Sequence, residues 1–157
     1  EKKFKSEQSE AFLAQTRFAK DKGLPIVIHV RDAWDELFTL MDQVNDDSLR
    51  GVFHCFTGGD KEADRALEYG GFLLGIGGVS TYKNGGLDKV LPNIPLESLV
   101  LETDSPYLSP APFRGKRNES SYLVHIAQRV ADIKGVSFEE VARVTTEGAE
   151  RMFGLKK

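Results

Sequence analysis

Three histidines occur in the chain, and two of them, His29 and His54, close short apolar runs: residues 23–30 read GLPIVIHV and residues 51–56 read GVFHCF. A further apolar run, LVLETD at residues 99–104, ends on Glu102 and Asp104 and breaks at Ser105-Pro106. Burying a carboxylate costs several kcal/mol unless it is paired or holds a metal. Two imidazoles and one or two carboxylates form a donor set that suits a borderline divalent cation such as zinc or manganese, or a pair of cations. One histidine at a strand end is ordinarily a satisfied core or surface residue. Two histidines and an aspartate on three strand ends at matching depth are harder to dismiss in that way, and the metal reading stands level with the structural one. Side chains alternate along a strand, so Glu102 shares a face with Asp104 about 6.6 Å lower. Glu102 reads as a partner that orients a ligand histidine, or as a member of a buried salt bridge. His125 lies inside a helical stretch and reads as structural. Cys55 reads as a small core residue rather than a nucleophile.

The elements that must position these groups alternate between helix and strand. Residues 6–22 look helical and stop at Gly23. Residues 23–30, with their Gly-Pro start and β-branched run, read as a buried strand. Trp34, Leu37, Phe38, Met41 and Val44 fall at three- and four-residue steps on one helix face, with Asp32 as the expected N-cap. Residues 51–56 form the second strand, and Gly58-Gly59-Asp60 opens a helix that ends near Gly70-Gly71. Residues 72–78, FLLGIGG, form the third strand, followed by a glycine-rich loop and a short helix near residues 87–91. LVLETD is the fourth. Residues 105–118 are too polar and proline-rich for a regular element. Helix returns over residues 120–134, then from Ser137, paired with Glu140 as a capping box, and in a last turn around residues 147–153. Continuous apolar strands between helices imply a parallel sheet covered on both faces, with its ligands at the carboxyl ends of the strands.

Composition narrows the class. At 157 residues, 40% hydrophobic and 29% charged, the sequence is that of one soluble globular domain over residues 1–157. No apolar run approaches the roughly 20 residues of a membrane span, and EKKFKSEQSE carries no signal-peptide pattern. Glu1 is not a starting Met. A single cysteine excludes an internal disulfide and points to a reducing, cytoplasmic setting. The net charge of −3 does not suggest a broad basic face for nucleic acid, so such contact must be local or work through a bound cation. PFRGKRNE at residues 112–119 is the one local basic cluster beside the strand ends. Its Arg114, Lys116 and Arg117 could hold phosphates, or simply form a solvated loop. Arg31, just past His29, is a further phosphate candidate, with a salt bridge to Asp32 or Asp35 as its plain alternative.

IVIHVRDAWDE, GVFHCFTGG, FLLGIGGVSTYKN and LVLETDSPYLSP…RGKRNE, in that order, resemble the TatD family of metal-dependent deoxyribonucleases. The resemblance covers nearly the whole chain. It implies an α/β fold of the (β/α)8 TIM-barrel metal-dependent hydrolase type. By motif, His29 and His54 resemble the family's metal-binding histidines and Asp104 its metal-binding aspartate, holding one or two divalent ions (Mg, Mn or Zn). The implied activity is hydrolysis of DNA phosphodiester bonds, including cleavage from strand ends. Asp104 would both bind metal and accept the proton of the attacking water.

The sequence also departs from the family pattern. The His-x-His of the family's first strand and the glutamate after its fourth are absent. The chain therefore resembles strands five to eight, and a whole barrel takes about 250 residues. The expectation is a C-terminal part of the barrel, inactive or nearly so in isolation. Two other readings stand beside it: a metal-dependent hydrolase of a small-molecule amide or ester, and a fragment that only self-associates through its open strand edges. Oligomeric state is left open by the sequence.

Overall fold

The apolar runs become strands of one parallel sheet. A computed structural model describes residues 4–155, so the ends of the 1–157 domain, Glu1 included, lie outside the described residues. The order is α1 (Lys5–Lys22), β1 (Ile26–His29), α2 (Trp34–Val44), β2 (Gly51–His54), α3 (Asp60–Glu68), β3 (Phe72–Ile76), α4 (Leu87–Val90), β4 (Leu99–Leu101), α5 (Leu123–Lys134) and α6 (Phe138–Phe153). The strands lie side by side in chain order, β1-β2-β3-β4, all parallel. Each strand-to-strand connection carries helical structure, and the helices of all three connections pack into one apolar core. Among the described residues β1 and β4 are open edges, so the sheet carries four strands of the barrel pattern without closing.

Alternation along the strands separates two apolar layers. Ile28, Phe53, Leu74, Ile76 and Leu99 face the helices and join Met41, Phe56, Ala66, Ile126 and Val141 in the main core. Full burial of such side chains stabilises by about 1.5–3 kcal/mol each. The opposite face holds a smaller cluster, in which Val52 and Val100 are covered by Met152 near the end of α6. Gly148 of α6 lies against the same strands, where a Cβ would make ordinary contact, 3.6 Å from the Leu99 carbonyl oxygen and 3.7 Å from Leu73. On β1 the same face is uncovered, and Val27 is 59% exposed. No helix among the described residues is long and apolar enough to cross a membrane.

Several boundaries differ from the sequence reading. Asp32 does not cap α2. Ala33 holds the N-cap position without a side-chain bond, and Asp32 instead adopts a left-handed backbone, φ 53°. Residues 120–122 form a 3₁₀ turn before α5 begins at Leu123. The last turn expected around residues 147–153 is the end of one continuous helix from Phe138. Ser137 caps that helix by accepting from the Glu140 N–H at 3.1 Å, but the Glu140 carboxylate takes Arg143 as its partner instead of closing the box.

Candidate functional site

Parallel pairing sets the histidines at one level. His29 and His54 are register partners at the ends of β1 and β2, and their rings lie 5.8 Å apart at 38°. Two strands further on, the β4 ladder runs one step beyond Leu101, where the Glu102 N–H donates to the Ile76 carbonyl at 3.0 Å. From there the Glu102 side chain reaches back across β3 to β2. Its Oε1 accepts from the Cys55 backbone N–H at 2.6 Å and pairs with His54 Nδ1 at 2.8 Å. Asp104 reaches the same imidazole from its other side, with Oδ1 3.3 Å from His54 Nε2. The imidazole is thus held between two carboxylates, with Glu102 fixing its orientation through Nδ1.

The passage that lets Glu102 cross the sheet is opened by Gly75, and Gly77 borders it with room to spare. A Cβ at Gly75 would fall 2.9 Å from Glu102 Cδ and closer still to Oε2. A Cβ at Gly77 would meet the Glu102 Cγ at 3.7 Å. Glycines 75 and 77 occupy alternate positions of β3 and its continuation, on the face over which the carboxylate lies. The signal was present in the sequence as FLLGIGG, where a strand interior repeats glycine at period two; glycine in a strand marks a close approach.

Electrostatics follow from burial. Desolvation raises the Glu102 carboxyl above the ordinary carboxylate range, the Asp104 charge adds to the rise, and His54 and the Cys55 N–H oppose it. Burial, then the charges of Glu102 and Asp104, push the Cys55 thiol up to about 11. That thiol is protonated at neutral pH, in keeping with a packing role and not a nucleophilic one.

Backbone strain gathers at the same rim. Three of the four non-glycine residues with left-handed φ among the described residues lie just past strand ends: Asp32 after β1, Cys55 after β2 and Asp104 after β4, at 53°, 47° and 57°. The fourth, Leu108, lies in the loop that follows Asp104. Such conformations cost of order 1–3 kcal/mol each and persist where the surroundings over-determine them.

The basic candidates sit apart from this group. None of Arg31, Arg114, Lys116 and Arg117 pairs with its carboxylates. Arg31 is exposed, 4.0 Å from Asp32. Arg114 lies over the Tyr82 ring, 3.4 Å from its centroid, at the wall of a cleft of about 620 Å³ that Thr57, Val79 and Lys83 also line. Lys116 points toward the Phe113 ring at 6.0 Å. Arg117 is exposed. His125 packs edge-on against Phe113, as expected of a structural residue.

The donor types match a borderline cation, and His54 and Asp104 converge. Among the described residues, however, no three His, Cys, Asp or Glu side chains are grouped closely enough to hold a metal ion. The residues present fit such an ion by chemistry.

Parallel strands with imidazole and carboxylate at their carboxyl ends are the arrangement that (β/α)8 barrels use for their active sites, which several strand ends supply. Within that class the chain belongs to the family of TatD related DNases, whose pattern matches residues 1–154. It is 42% identical over 149 residues to the uncharacterized metal-dependent hydrolase YabD of Bacillus subtilis, covering 94% of this chain and 58% of that protein. It is 37% identical over 155 residues to the 3'-5' ssDNA/RNA exonuclease TatD of Escherichia coli K12, covering 95% and 59%. The crystal structure of YJJV, a TatD homolog from the same bacterium, superimposes with a TM-score of 0.83 at 27% identity, covering 89% of this chain and 54% of that one. The chain thus spans somewhat over half the length of these relatives.

Proposed function

We propose that the intact protein is a metal-dependent phosphodiesterase acting on DNA, with His29, His54 and Asp104 holding one or two divalent cations. The observation that carries this reading is the His54 imidazole, tied by Glu102 through Nδ1 and presenting Nε2 to Asp104 at the strained rim of a parallel sheet. A bound cation would supply Lewis-acid activation of the phosphoryl oxygen and acidify a bound water. Glu102 keeps His54 in the tautomer whose Nε2 carries the free lone pair. Asp104 doubles as the acceptor of the proton that leaves the attacking water. Arg31, Arg114, Lys116 and Arg117 hold phosphates of the strand. The guanidinium of Arg114 lies over the Tyr82 ring, which gives it a defined position. The printed name of the Escherichia coli relative, a 3'-5' exonuclease of ssDNA and RNA, supports a nucleic-acid substrate. The single free cysteine supports a cytoplasmic setting.

The test is degradation of end-labelled single-stranded DNA by the intact protein, with Mg²⁺, Mn²⁺ or Zn²⁺ and with chelator. The expected result is cleavage that chelator abolishes and that His54→Asn and Asp104→Asn each reduce at least 100-fold. Replacing Arg114, Lys116 and Arg117 together with alanine is expected to raise KM for DNA. Metal-dependent hydrolysis that ignores all three replacements, or cleavage that survives chelation, refutes the assignment.

A further inference from the structure

We infer that Asn118 is a positioning residue for Asp104: its buried amide clamps the turn that aims the aspartate at His54. Asn118 is 2% exposed, one of five buried polar side chains among the described residues. Its Nδ2 donates to two carbonyls that bracket Asp104, that of Thr103 at 2.5 Å and that of Tyr107 at 2.6 Å. Its Oδ1 accepts from the Glu119 N–H at 2.9 Å, and its own N–H donates to the Pro106 carbonyl at 3.0 Å. Both donors and the acceptor of the amide are therefore in use, and a buried amide so engaged has one orientation.

The turn it closes holds Asp104 at φ 57°. Inside the turn the Tyr107 N–H returns to the Asp104 carbonyl at 2.9 Å. The left-handed conformation is tolerated by aspartate but not preferred, so something outside the residue must hold it. Asn118 meets the chain one residue before Asp104 and three residues after it. No other side chain repeats these bonds: alanine and leucine bring no donors, and aspartate would turn a carboxylate toward two carbonyl oxygens. The inference rests on the reading of Asp104 as a cation ligand and proton acceptor.

The experiment compares the intact parent with Asn118→Ala, Asn118→Asp and Asn118→Ser, the last keeping one donor in case the others do not fold. Two quantities are read: hydrogen exchange of the Tyr107 amide in metal-free protein, and the Zn²⁺ dissociation constant by calorimetry well below the melting temperature. The expected result for Asn118→Ala and Asn118→Asp is exchange at least tenfold faster, the factor that loss of about one hydrogen bond sets, together with Zn²⁺ binding 10–100-fold weaker, as for other groups that orient ligands. Asn118→Ser falls between. Zn²⁺ binding within twofold of the parent, with exchange accelerated, would reduce Asn118 to a loop staple and overturn the inference. So would unchanged exchange. If the parent itself takes up no Zn²⁺, the metal reading of the site fails on its own. The exchange rates then still decide whether Asn118 holds the turn.

Discussion

Gly75→Ala asks whether the path of Glu102 across the sheet, and not only its presence, makes the site. The added Cβ would stand 2.9 Å from Glu102 Cδ and 3.2 Å from Val52 Cγ1. Ordinary contact begins at 3.4 Å, so Cδ must withdraw by about 0.5 Å (3.4 − 2.9) and Oε2 by more. Oε1 moves with them, and its bonds to the Cys55 N–H and His54 Nδ1, now 2.6 and 2.8 Å, lengthen or break. Hydrogen bonds to a charged group contribute about 1.5–3 kcal/mol each. Against this, alanine stiffens the unfolded chain by about 0.4–1 kcal/mol, and the half-buried carboxylate regains water as it moves. The expected net loss of stability is about 1–2 kcal/mol. Zn²⁺ affinity is expected to fall 10–100-fold as His54 loses its orientation. The assay is urea denaturation of the metal-free protein and calorimetric Zn²⁺ titration, repeated in a Glu102→Ala background. With no carboxylate to displace, Gly75→Ala costs little affinity there, and the coupling is about 1.4 kcal/mol or more. An equal loss of affinity in both backgrounds, or none in the single variant, refutes the claim that Gly75 acts through Glu102.

Three further outcomes test other parts of the fold. Asp46 joins the end of α1 to the loop after α2 through Lys20, 2.5 Å away, and Ser48. Lys20 and the Ser48 donors hold its carboxyl at about 2, below the ordinary 3.8. A depressed acid contributes stability above its unfolded pKa, so this contribution is present above about pH 4 and is lost as pH falls toward 2. Urea midpoints of the parent and Asp46→Asn should converge across that window; a constant difference down to pH 2 would exclude the linkage. The Cys55 thiol, at about 11, should react with iodoacetamide at pH 7.5 at least tenfold more slowly than free cysteine, followed by intact mass; labelling at the free-thiol rate contradicts the burial argument. Met152→Ala removes the cover of Val52 and Val100 and should cost about 2–3 kcal/mol in chemical denaturation. A change under about 0.5 kcal/mol would mean that this smaller layer contributes little.

The local elements were legible because burial writes a period into the sequence. Apolar runs of four to six residues between helical stretches marked the four strands. Gly23, which caps α1 at φ 62°, and Gly135, which caps α5 at φ 66°, marked two helix ends where a left-handed backbone is needed. The apolar runs set His29 and His54 at strand ends, while Asp104 stands three residues past β4, where a turn and not the strand's alternation aims it. Parallel pairing of β1 with β2 in chain order then makes the two histidines register partners. Where a local signal had two outcomes, tertiary context chose: Asp32 has the composition of a cap, yet the chain leaves β1 in a turn that puts it one residue too early.

The contacts that shape the site belong to the tertiary structure alone. Glu102 meets the Cys55 backbone 47 residues away in the chain, and Asn118 meets the Thr103 carbonyl 15 residues away. Neither pairing has a period, because it depends on which strand lies beside which and on where a side chain can pass. A glutamate alone cannot say that it will cross a neighbouring strand. That is decided by Gly75, which leaves room for it, and by the sheet order that sets this glycine between the glutamate and the histidine it holds.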